Sequence, residues 1–225
     1  MLSYHIDKAS VLSRLGYVNQ EISDSLHKTI DDCIALSYAK IVPAFTYQTF
    51  LVHVAAPIVT VKNTAVVISS ADLSRLLKYS QKAVFMALSA GGAIEQAIRA
   101  ESYRDMTRCV ILDSCASVAA EAMANAVEQR IAQEIDEQYR LTNRFSCGYG
   151  DFSLCYQGAL LQLLNAEKQI GLHVGQSGIL QPKKSITAVI GIVDKSIDHT
   201  HYATCATCAI KENCAYRKEG KTCFN

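Results

Sequence analysis

Apolar positions in this chain recur first at helical and then at strand spacing, and the changes of period divide it into elements. Residues 7–38 read as mostly helical. Asp7 can cap a segment carrying Val11, Leu12 and Leu15 and closed by Gly16. A second helix is predicted from about Asn19, with Ile22, Leu26, Ile30, Cys33 and Ile34 on one stripe. The pattern then turns to β-branched and aromatic residues, from Phe45 to Ala55 and from Thr64 to Ser69. Pro57 and the Lys62-Asn63 turn lie between, which predicts a hairpin or meander. Ser70 or Asp72 can cap a short helix reaching about Lys82. The apolar run Ala83–Leu88 is predicted as a buried strand, followed by a glycine turn and a helix from about Ala93. Residues 106–139 give the longest helix. One stripe holds Cys115, Val118, Ala119, Ala122 and Ala126, and it continues through Met123, Val127, Ile131 and Ile135. After the loop Arg144–Gly150, Asp151 is placed to cap a helix with Leu154, Leu160, Leu161, Leu163 and Leu164 that stops near Gly171. Ser185–Ile192 is the final strand. Strands and helices do not alternate strictly, so the expected class is α+β, a mixed or antiparallel sheet flanked by helices.

Composition narrows the function classes. The chain has 225 residues, room for one large domain or one domain plus a small appendix. Half the residues are hydrophobic and the net charge is +1, without a long run of one sign. That argues against wholesale disorder and against a nucleic-acid partner, which needs a basic patch. No basic and apolar leader opens the chain, and no uninterrupted apolar run approaches the ~18 residues of a membrane span. A cytoplasmic protein with no membrane segment is expected.

The loop Arg144-Phe145-Ser146-Cys147-Gly148-Tyr149 is similar to the Arg-Pro-Ala-Pro-Gly-Tyr motif of the reactivation domain of cobalamin-dependent methionine synthase. Arg144, Gly148 and Tyr149 match in identity and spacing, while Ser146 replaces Ala and Cys147 replaces the second Pro. Ala120-Glu121-Ala122-Met123 resembles the family segment whose glutamate meets the methionine moiety of the cofactor. Leu163 to Gly171 with Gln176-Ser177, and Pro182 to Thr187, resemble two later family stretches. The resemblance runs from about residue 112 to 192, while the N-terminal half matches only in general pattern, closer to the short bacterial single-domain relatives than to the full-length enzyme.

The resemblance implies a stand-alone accessory module of a cobalamin-dependent methionine synthase. It would bind S-adenosylmethionine through Glu121, Arg144, Ser146, Gly148 and Tyr149, with Tyr149 facing the corrin. It would dock on the cobalamin-binding domain of a methionine synthase or related corrinoid methyltransferase and support reductive methylation of cob(II)alamin. A flavodoxin or ferredoxin would supply the electron. The residues themselves agree with this chemistry. An arginine on a loop can pair bidentately with a carboxylate, and glycines let a flat ligand approach the backbone. A tyrosine offers a ring to a large apolar surface. The plainer alternatives are a surface arginine, a solvated Glu121 and a turn tyrosine. The family's N-terminal aspartate and late tyrosine have no counterpart placed here. That motivates a second reading, a non-catalytic partner of a corrinoid protein.

Nine cysteines carry the remaining signal. An odd number without a secretory leader argues against a full disulfide framework. Cys33, Cys109 and Cys115 sit at apolar helical positions, and Cys147 is read as filling a small-residue place, with facing the cobalt or the ligand as the alternative. Cys205, Cys208, Cys214 and Cys223 crowd the end as C-x2-C-x5-C-x8-C. Four thiolates from one short segment suit an iron–sulfur cluster or zinc. Arg217 stands close by in sequence, while free or disulfide-bonded cysteines are the plainer alternative. His199 and His201 are solvated residues in this reading. The expected organisation is therefore a domain over 1–193 and a metal-binding tail over 194–225. A third reading follows from the tail, a small metal-binding electron carrier or regulator unrelated to corrinoids.

Overall fold

The computed structural model describes residues 2–17, 20–197 and Glu212. The helices are α1 (Lys8–Arg14), α2 (Asp24–Lys40), α3 (Ala71–Leu76), α4 (Gly92–Ser102), α5 (Met106–Glu134), α6 (Gln157–Leu163) and α7 (Ala166–Ile170). The strands are β1 (Ala44–Ala55), β2 (Ile58–Val61), β3 (Val67–Ser69), β4 (Lys82–Ser89), β5 (Tyr139–Leu141), β6 (His173–Val174), β7 (Leu180–Gln181) and β8 (Ser185–Asp194). Six strands form one antiparallel sheet in the order β3-β2-β1-β4-β8-β5, and β6 pairs with β7 in a short ribbon. The class is α+β, as the pattern of elements predicts. Strands β4 and β8 are buried along almost their whole length, which is why they read as continuous apolar runs rather than alternating ones.

The chain divides into two compact units. The first comprises Met1–Thr46, Met86–Glu134 and Leu160–Thr187. Here α5 packs against α1, α2 and α4. Its buried side chains include Leu112, Cys115, Ala119, Met123, Val127 and Ile131, while Ala122 and Ala126 are only half-buried. On length and composition alone α5 could cross a membrane, although its apolar residues are interrupted by charged and polar ones. Yet 56% of its most apolar 18-residue stretch is buried within the protein, the signature of a core helix. Asp7 caps α1 as expected, with Oδ2 accepting from the Ser10 amide at 2.8 Å. Helix α2 begins later than predicted, because Ser23 provides the cap by accepting from the Leu26 amide. Lys184 joins this unit's last segment to α5, donating to Asp113 and to Ser117 at 2.8 Å each.

The second unit comprises Tyr47–Phe85, Ile135–Ala159 and the chain from Ala188. Strands β1, β2 and β3 form the expected meander, with Val54 opposite Val59 and Val59 opposite Ile68. The sequence pattern had not marked β2, which is only four residues long. Ser70 caps α3, accepting from the Leu73 amide at 3.0 Å. Phe50 meets Phe85 edge to face at 5.5 Å. Helix α5 ends at Glu134, five residues short of the predicted limit, and β5 takes up Tyr139, the last residue of the predicted helix, together with Arg140 and Leu141. They pair with β8, Tyr139 opposite Asp194 and Leu141 opposite Ile192, and these long-range hydrogen bonds outweigh the local helical pattern.

Candidate functional site

The sequence singled out the loop after β5, and this loop is held from several directions within the second unit. Past β5, the Thr142 amide donates to the Gly191 carbonyl at 2.9 Å, and the Thr142 hydroxyl accepts from the Gly191 amide at 2.8 Å. Phe145 then exchanges both backbone hydrogen bonds with Val189, at 3.0 and 2.8 Å. Arg144 is therefore delivered immediately beside a paired residue. Its side chain is half-buried.

Beyond Phe145 the chain folds back on itself. The Gly148 amide donates to the Phe152 carbonyl at 2.7 Å, the Tyr149 amide to Ser146 at 3.1 Å and the Phe152 amide to Tyr149 at 2.9 Å. Phe152 is fully buried and stacks on Phe145, with ring centroids 6.1 Å apart and planes 5° from parallel. Tyr156 lies against Phe152 at 5.9 Å, and its hydroxyl accepts from the Ser69 amide at 3.0 Å. Tyr149 leans on Phe145 at 6.3 Å but stays 58% exposed. The apolar stack thus fixes the loop from beneath while one aromatic ring faces out.

Asp151 supplies the second anchor, in a role the sequence did not suggest. It was placed to cap the helix that follows it. Instead its carboxylate accepts from the Ala71 amide at 2.6 Å, from the Asp72 amide at 3.1 Å and from the Ser70 hydroxyl. These are donors at the start of α3, about 80 residues earlier in the chain. The following helix finds its own start at Ser153, whose hydroxyl accepts from the Cys155 amide at 3.2 Å. Partial desolvation tends to raise the Asp151 pKa. The hydrogen bonds from Ser70, Ala71 and Asp72 outweigh it and hold the carboxyl below its usual range.

Gly150 explains why the loop can approach α3 so closely. It has φ +52°, and a Cβ there would sit 2.1 Å from Asp72 Oδ2. Gly148, at φ +93°, lies where a Cβ would meet Leu154 at 3.3 Å. Burial pushes the Cys147 thiol up to about 12, with a smaller contribution from Cys155 nearby.

Arg144, Ser146, Gly148 and Tyr149 therefore lie together on one anchored turn. Glu121 belongs to the first unit and is exposed on α5. The next residue, Ala122, lines a shallow groove of about 360 Å³ with Tyr4, His5, Asn125 and Gln129. Cys205, Cys208, Cys214 and Cys223 lie outside the described residues. Among the described residues, no cluster of His, Cys, Asp and Glu side chains could hold a metal ion. The anchoring residues Ser70, Asp72 and Asp151 were missed as part of the site. A capping residue visible near each helix start was the only signal, and it pointed Asp151 to the wrong helix.

No family model matches the chain, and no curated protein matches it by sequence. Among solved structures it is similar to the MetH reactivation domain bound to AdoHcy. The TM-score is 0.65 at 13% identity, and the match covers 96% of this chain and 82% of that one. The chain thus has the fold of that reactivation domain, the one its loop motif resembles.

Proposed function

We propose that this chain is a reactivation module for a cobalamin-dependent methionine synthase or a related corrinoid methyltransferase. The observation that carries the proposal is the shared fold over 96% of the chain with a reactivation domain that binds AdoHcy. AdoHcy is the demethylated form of S-adenosylmethionine, so a ligand of that class is assigned here, together with a cobalamin-binding domain as partner. In this reading the module acts in the cytoplasm. Bound S-adenosylmethionine would supply the methyl group for cobalt on the partner and be left as AdoHcy, with one electron supplied by a reduced flavodoxin or ferredoxin.

The chain's own contribution is position. Arg144 pairs its guanidinium with the ligand carboxylate, a geometry that its fork of donors suits and lysine lacks. The backbone of Ser146 to Gly148 borders the flat part of the ligand. Tyr149 turns its exposed ring to the corrin. The anchors at Phe152 and Asp151 support the reading because they hold this turn in place before any ligand arrives, which lowers the cost of ordering it on binding.

The four-cysteine tail adds a separate assignment, resting on spacing alone. Cys205, Cys208, Cys214 and Cys223 would hold an iron–sulfur cluster or zinc. A cluster there would relay the electron to the partner's cobalt. Metal and sulfide analysis of anaerobically purified protein separates the two, and one zinc without iron or sulfide ends the relay idea.

The test of the main proposal is calorimetric titration of S-adenosylmethionine into wild type and Arg144→Ala. Loss of a charge-assisted pair costs roughly 1.5–3 kcal/mol, so the variant should bind about 10- to 100-fold more weakly. Folded wild-type protein that takes up no S-adenosylmethionine overturns the ligand assignment. If such protein still captures a cobalamin-binding domain, it is a corrinoid-protein partner only.

A further inference from the structure

The turn that carries Tyr149 also brings together two cysteines whose thiols have no role in the function above. Cys147 immediately precedes Gly148, and Cys155 immediately follows Leu154. Leu154 lies beside Gly148, where an added Cβ would sit 3.3 Å from Leu154 Cδ2. The Gly148 amide is tied to the Phe152 carbonyl at 2.7 Å, so the two arms of the turn are pinched together just inside the cysteines. Both side chains are free thiols. Cys155 is exposed, at the one-turn 3-10 helix Leu154–Tyr156, while Cys147 is half-buried.

We propose that Cys147 and Cys155 form a reversible disulfide that closes the glycine turn covalently, with a small soluble disulfide such as oxidised glutathione as oxidant. The exposed Cys155 thiolate attacks one sulfur of oxidised glutathione and releases one glutathione thiolate. The Cys147 thiolate then attacks the Cys155 sulfur of the mixed disulfide and releases the second. Two protein thiols are oxidised, one glutathione disulfide is reduced to two glutathione molecules, and the two thiol protons end on these. The order follows from exposure, since Cys155 is exposed and Cys147 half-buried, so a bulky reagent meets Cys155 more readily. Burial of Cys147 makes its thiolate scarce at neutral pH, so the closing step is the slow one and quickens as pH rises. The bond spans only the turn itself, so it acts on the segment that presents Ser146 to Tyr149. This chemistry does not depend on which ligand the turn binds.

The experiment treats the intact protein with oxidised glutathione, blocks remaining thiols with an alkylating reagent, and digests with trypsin. Both cysteines fall in one tryptic peptide, Phe145 to Lys168, which contains no internal Lys or Arg and no third cysteine. The expected product is that peptide lighter by two hydrogens, unalkylated, and restored by a thiol reductant. Cys147→Ser should instead keep glutathione on Cys155, and Cys155→Ser should leave Cys147 without glutathione. A wild-type peptide that carries stable glutathione on Cys155, or that is recovered with both thiols alkylated, overturns the proposal. So does a cross-link from either residue to another peptide.

Discussion

Replacing Asp151 by alanine tests the anchoring of the turn directly. The carboxylate accepts from the amides of Ala71 and Asp72, two donors at the start of α3 that have no partner within the helix, and from the Ser70 hydroxyl. Removing a side chain in this role costs about 0.5–2 kcal/mol. The site is exposed, so water can replace part of what is lost. We expect about 1 kcal/mol, a fall in Tm of roughly 2–4 °C for a chain of this size. The pH dependence gives the sharper assay. The native Asp151 pKa is depressed below its unfolded value near 3.9, so its contribution is complete above that value and is lost as pH falls through the native pKa. The stability gap between wild type and Asp151→Ala, measured by urea unfolding, should be full above about pH 5 and close progressively below about pH 4. Carboxylates distant from the turn contribute alike in both proteins and cancel in the difference. A gap absent at neutral pH, or one undiminished at about pH 2.5, would refute the assignment of Asp151 as the acceptor for α3.

Gly150→Ala should destabilise the protein by roughly 1–3 kcal/mol, because the backbone is left-handed there and the new methyl would collide with Asp72. Gly158→Ala is the control. That residue lies in α6 with open space where its Cβ would go, and the change should be neutral or stabilise by about 0.4–1 kcal/mol in thermal unfolding. Phe152→Ala removes the fully buried centre of the aromatic stack and should cost about 3–5 kcal/mol in urea unfolding. In the Cys155→Ser variant, alkylation of Cys147 should be slow at neutral pH and still be accelerating at the highest pH the fold tolerates. A rate that levels off near pH 8.5 would show an unperturbed thiol instead.

The helical half of the fold was legible because its signals are local. Asp7 and Ser70 lie immediately before the helices they cap, and the apolar stripe of α5 is read within a few turns. The buried strands β4 and β8 were legible as short unbroken apolar runs bounded by turn residues. Where the reading failed, the deciding partner was distant. Residues 154–170 carry one helical apolar pattern, yet they form a 3-10 turn and two helices, α6 and α7. The break comes at Asn165, which adopts φ +48°. Asparagine tolerates that conformation, but nothing local required it.

The same division holds at the candidate site. The residue types of Arg144–Tyr149, their spacing and their likeness to a known loop are properties of the sequence, and they pointed to this turn without any coordinates. The turn's shape is not. Asp151 could cap its own helix or another, and only the return of α3 to within 2.6 Å of its carboxylate decides between them. Likewise Tyr139–Leu141 become a strand only because β8 lies alongside. Periodicity and capping depend on torsions and neighbours within about one helical turn, so one sequence is enough to read them. The partner of a carboxylate or of a three-residue strand depends on which distant segments the core brings together, and only the folded chain decides that.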